Sequence, residues 1–121
     1  MKSHWVEHKG KRVMIAEYSH FGSDSVALKQ ETDGSIELLQ KEPYNSVLVI
    51  SNMEGTSATL GNVQVLMDVL PISNQYVRKR CAVGASSMAW RFIESFNRIA
   101  GMAKLRPFRT LEEGLDWIVQ D

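Results

Sequence analysis

The chain has 121 residues, 44% apolar and 23% charged, with 14 basic residues balanced by 14 acidic ones. This length suits one domain, 1–121, because a chain of this size buries roughly two-thirds of the surface that it exposes when unfolded. The composition excludes disorder, and the balance of charge excludes a global field that would gather nucleic acid or an anionic membrane.

A single cysteine, Cys81, rules out an intramolecular disulfide and a multi-cysteine zinc site, and it fits a reducing compartment. No stretch approaches the roughly 20 apolar residues needed to span a bilayer, and the N-terminus lacks the apolar core of a signal peptide. The expected protein has no integral membrane segment and resides in the cytoplasm. Arg78, Lys79, Arg80, Arg91, Arg98, Lys104, Arg106 and Arg109 all fall late in the chain. Exposed charge is the default for Lys and Arg, so this cluster reads as a solvated face.

In chain order, Trp5 to His8 and Arg12 to Tyr18 flank Lys9-Gly10-Lys11 and predict an opening β-hairpin. Ser23 and Asp24 are candidate N-caps for a helix reaching about Lys41, interrupted by Gly34 and followed by Pro43 and Asn45. Ser46 to Ser51 is a continuous apolar run without alternation, as in a central strand covered on both faces. After the polar loop Asn52 to Ser57, the spacing of Leu60, Val63, Met67 and Leu70 predicts a second helix closed by Pro71.

Val77 to Gly84 reads as another strand. Ser86 or Ser87 would cap a third helix striped with Ala89, Phe92, Ile93, Phe96, Ile99 and Ala100, and Gly101 would stop it. Leu105 to Arg109 reads as an edge strand, since Pro107 cannot donate to a central ladder. Thr110-Leu111-Glu112-Glu113 is a capping box opening a last helix with Leu115, Trp117, Ile118 and Val119. The alternation predicts an α/β fold with a mixed, mainly parallel β-sheet and right-handed helical crossovers.

Three segments carry a family resemblance: Pro43 to Ile50 followed by Glu54-Gly55-Thr56; Lys79 to Ser86; and Phe108-Arg109-Thr110 with Glu112 to Ile118. In order and over nearly the whole chain they resemble STAS/SEC14-like domains, whose fold is similar to that of bacterial anti-sigma-factor antagonists. The resemblance implies a mixed sheet with an N-terminal hairpin and helices largely on one face, and a role in protein association or ligand sensing. Better-known antagonists carry a phosphorylatable serine in an Asp-Ser-Ser-Gly loop. Here the corresponding stretch is Thr56-Ser57-Ala58-Thr59, without the Asp or the Gly, so the resemblance does not bring regulatory phosphorylation with it.

Ligands of open α/β sheets gather beyond the carboxyl ends of parallel strands. The loops Asn52 to Thr59 and Gly84 to Ser87 should meet there, so Asn52, Glu54, Thr56, Ser57, Thr59, Ser86 and Ser87 are the candidate binding residues. Helix N-termini at both loops would favour an anion; the plainer reading is that the serines cap helices. Val65, Val69 and Trp90 lie off the main apolar stripes and suggest either a wider core or a contact surface, including a homodimer interface.

A hydrolase needs a nucleophile with a positioned base, and no such constellation is visible. Ser86-Ser87 lacks the flanks of a nucleophile elbow, and Gly84 to Ser87 lacks a P-loop lysine. His4 and His8 with Glu7 or His20 fall short of a matched zinc ligand set, so no metal and no cofactor is implied. The expected function is a non-catalytic regulatory or interaction module holding a partner protein. The alternative is a carrier or sensor with an apolar pocket near the strand-to-helix loops for a small anionic or lipid-like ligand.

Overall fold

In the computed structural model, which describes residues 2–86, 91 and 105–120, the chain opens with β1 (His4–His8) antiparallel to β2 (Lys11–Glu17), Val6 facing Val13. The two residues between them, Lys9 at φ 50° and Gly10 at φ 80°, are both left-handed. That is the geometry of the two-residue turn whose twist matches a hairpin. α1 (Ser25–Leu39) follows, its first turn capped by Asp24, whose carboxylate accepts from Ala27 N at 3.0 Å.

β3 (Val47–Asn52) pairs parallel with β2, and α2 (Leu60–Ser73) leads to β4 (Val77–Val83), parallel to β3. β5 (Arg106–Phe108) adds a short parallel edge, and α3 (Leu111–Ile118) closes the described chain behind its cap, Thr110. The five strands lie in the order β1-β2-β3-β4-β5. The fold is therefore α/β, with a mixed, mainly parallel sheet and an N-terminal hairpin.

The central strands β2, β3 and β4 feed two cores. Val13, Ile15, Leu48, Ile50, Cys81 and Val83 face α3, meeting Ile118 and Val119. The alternate positions Met14, Ala16, Val47 and Val49 face α1, meeting Leu28 and Leu39, with Val65 and Leu66 of α2 packed against them. α1 and α2 thus share one face, and α3 covers the other. Full burial of each large aliphatic side chain contributes roughly 1.5–3 kcal/mol.

Some boundaries differ from those expected from sequence. α1 ends at Leu39 rather than about Lys41, and α2 runs through Pro71 to Ser73. Pro71 sits in the last turn, where a missing N–H loses a single helical bond. Leu60, expected in the apolar stripe of α2, is instead 89% exposed at its first position. Of the expected helix from Ser86 or Ser87 to Ala100, Ser86 and the helical Arg91 are described, whereas Ser87, Trp90 and the expected apolar stripe lie outside the described residues.

The Glu31 carboxylate helps to hold the N-terminal segment. Buried Glu31 accepts from Lys2 N at 2.8 Å and Ser3 N at 2.9 Å. Burial pushes this carboxyl up, but the hydrogen bonds from Lys2 and Ser3 outweigh it and hold it below its ordinary value. A depressed folded-state pKa contributes stability that is present above the unfolded carboxylate value, about 4.3, and is lost as pH falls through the folded value. Glu31→Gln should therefore lower the melting temperature at neutral pH and flatten its fall below about pH 4.3; thermal melts across that range check this.

Candidate functional site

The parallel strands end at a rim stitched by side chains. Asn52, at the end of β3, donates from Nδ2 to Glu17 Oε1 at 2.7 Å and accepts from Glu54 N at 3.2 Å. His20 N donates to Glu54 O, Gly22 N to Gly55 O and Ser57 N to Gly22 O, so the loop after β2 lies against the loop after β3. Thr56 Oγ1 donates to Tyr18 O and accepts from Phe21 N.

Asn62 closes the arrangement from the first turn of α2. Only 1% exposed, it donates to Gly22 O at 2.9 Å and Ser57 O at 2.8 Å, and its Oδ1 accepts from Ser25 Oγ. Its amide thus joins both loops to the starts of α1 and α2. At the neighbouring loop, Gly84 has φ +73°, and a Cβ there would stand 2.9 Å from Glu54 Cβ. Glycine is required by both backbone and space. Met53 N donates to Val83 O at 2.9 Å, so the described part of the Gly84 loop does meet the Asn52 to Thr59 loop.

The expected site residues divide within this rim. Asn52 and Thr56 are used in fixing loops, and Thr59, not Ser57, caps α2 by accepting from Asn62 N at 3.2 Å. Glu54, Ser57 and Ser86 are exposed on it. Val69 is buried and Val65 half-buried against the core; both also wall a groove of about 250 Å3 between α1 and α2, with Ile36, Ile72, Lys29 and Asp68.

Behind the rim, between α2 and the sheet, lies a cavity of about 70 Å3. α2 lines it with Val63, Leu66, Met67 and Leu70; Met53, Ala58, Ala82 and Leu105 add apolar wall, and Tyr18, Ser51 and Arg80 reach it from the strand side. The main apolar stripe of α2, with Val63, Met67 and Leu70, faces this space, while Val65 of the second apolar face packs against the core. Sequence spacing showed the stripe but not the void in front of it.

Arg80 was hidden among the other late basic residues. On β4 it alternates with Lys79: Lys79 Nζ turns to the α3 side and donates to Trp117 O and Gln120 O, whereas Arg80 pairs across from Val49 and enters the other layer. The usable signal was its place in a strand flanked on both sides, where adjacent residues face opposite cores. Arg80 is 9% exposed, and its Nη2 donates to Ser73 Oγ at 2.7 Å and Asn74 Oδ1 at 3.3 Å. Burial lowers the guanidinium from its ordinary value, and the nearby Tyr18 acts the other way.

Tyr18, raised by burial, pairs with Ser35 Oγ at 2.6 Å. Ser35 itself donates to Thr32 O, so the shared proton of that pair comes from the tyrosine, and Tyr18 offers the cavity no donor. Cys81 lies in the opposite core, its thiol pushed up to about 12 by burial, which disfavours the thiolate. Among the described residues no three His, Cys, Asp or Glu side chains converge on a metal position; His4 Nδ1 bonds Lys2 O and His8 Nε2 pairs with Asp116. No helix among them is long and apolar enough to cross a membrane.

No protein-family model matches the chain, and comparison with curated proteins finds no match.

The stitched rim has a measurable consequence. Asn62→Leu removes the amide bonds to Gly22 O, which keeps Ser57 N, and to Ser57 O, and takes the acceptor from the Ser25 hydroxyl, so denaturant titration should show a loss of roughly 1–3 kcal/mol. Ser57→Ala, at an exposed hydroxyl, should stay within about 0.5 kcal/mol of wild type.

Proposed function

We propose that the chain is a non-catalytic, STAS/SEC14-like binding domain that takes a small molecule with an apolar body into the cavity between α2 and the sheet. One observation carries the reading: among the described residues, Val63, Met67 and Leu70 of α2 line an apolar cavity, joined there by Leu66 at the edge of its packing against the core. Interiors are ordinarily close-packed, and an unfilled apolar space forfeits the contacts of every side chain around it. A ligand that restores those contacts is stabilised by the surface it removes from water. The rim groups Asn52, Thr56 and Asn62 are engaged in loop contacts, which supports a role in holding the entrance in shape.

A specific feature also favours a protein partner. The groove between α1 and α2 has an apolar floor of Ile36, Val65 and Ile72 beside Lys29, Asp33 and Asp68, and Val26 and Leu60 stand 72% and 89% exposed at the starts of the two helices. Such a surface suits a second protein or a second copy of the chain, while the cavity holds the ligand.

Native mass spectrometry of freshly purified protein tests both readings at once, as retained small-molecule mass and as oligomeric state. For the cavity itself, Met67→Trp should fill the space and weaken binding of hexanol at least tenfold in an NMR titration, with the melting temperature changed by only a few degrees. Equal hexanol affinity in the folded variant and the wild type would place the binding elsewhere.

A further inference from the structure

Around the cavity, Arg80 is the one charged residue among the described lining residues. Its hydrogen bonds run from Nη2 alone, to two neutral oxygens, and no carboxylate of the described residues pairs with it. Buried charges are ordinarily paired. Here the positive charge stands in an apolar wall with Nη1 and Nε left without a protein acceptor among the described residues, yet no buried side-chain nitrogen or oxygen is sealed off without a partner. The open donors are therefore not sealed off, and Arg80 is among the residues that line the cavity.

We infer that the cavity selects a small monocarboxylate, whose carboxylate accepts from the open donors of Arg80 while its aliphatic chain lies against Val63, Leu66 and Met67. The inference rests on the reading of this cavity as a ligand site, and it adds the class of ligand. A monoanion balances the single guanidinium. A phosphate dianion would bring a second charge for which no second cation lines the space. A neutral amphiphile would fill the apolar part and leave the guanidinium uncompensated, and an amine would place two positive charges together at low dielectric. Tyr18 cannot substitute for Arg80 as the donor, since its proton is engaged by Ser35. The size of the cavity, about 70 Å3, favours a short chain.

The test is a calorimetric or NMR titration of the full chain at neutral pH with hexanoate, hexanol and inorganic phosphate, repeated on Arg80→Met. Methionine keeps an unbranched apolar stem and removes the charge, so the variant retains the wall. Wild type should bind hexanoate at least tenfold more tightly than hexanol, and phosphate should not displace it. Arg80→Met should lose hexanoate affinity at least tenfold while binding hexanol as well as before. Equal affinity of wild type for hexanoate and hexanol would overturn the carboxylate assignment and leave the apolar site standing, and so would displacement by phosphate. Binding of neither hexanoate nor hexanol would overturn the ligand site itself. The wild-type comparison decides the matter even if Arg80→Met does not fold.

Discussion

Strand β3 is covered on both faces, and the rest of the structure is arranged around that constraint. Val47 through Ile50 are each under 5% exposed, with Val47 and Val49 facing α1 and α2 and Leu48 and Ile50 facing α3. A strand so placed needs a hydrogen-bonded neighbour on each edge and a packed layer on each side. β2 and β4 supply the edges, and α1 and α2 supply one layer. α3 supplies the other, its close approach made through Gly114, where a Cβ would stand 3.0 Å from Val83 Cγ1. The polar ends of the parallel strands then fall together on one rim, where loops rather than strands must satisfy the backbone.

The same constraint decided what could be read from sequence. The run Ser46 to Ser51 announces a doubly covered strand because nothing in it alternates, and Lys9-Gly10 announces its turn because two left-handed residues are what a tight hairpin needs. Thr110 and Glu113 mark the start of α3 and do bond each other there. The candidate site was less legible. Ser57, Ser86 and Glu54 stand out as polar loop residues, yet the geometry is governed by Asn62, an unremarkable position inside a helical pattern, and by Arg80, one of several late basic residues. Neither could be singled out before strand register was known, since register alone sends Lys79 and Arg80 into opposite layers.

Cavity and rim are two outcomes of one packing problem. α2 must reach α1 through Val65 and Val69, so its Val63, Met67 and Leu70 turn towards the space beside β4. Arg80 enters that space from β4, tethered by Ser73 and Asn74 at the end of the same helix. Fixing Nη2 in this way costs the guanidinium rotamer freedom in advance, which leaves less entropy to be lost when an acceptor arrives. The rim, with Thr56 and Asn62 engaged in loop contacts, supplies a rigid frame for the entrance.

The central claim, that α2 faces an open apolar space, is tested most directly by NMR of the methyl groups under xenon pressure, because dry apolar cavities take up xenon. Saturable shifts are expected at the methyls of Val63, Leu66 and Met67 and none at Val13, Ile15 or Ile118 in the opposite core. Absence of shifts on α2, or equal shifts in both cores, would contradict it.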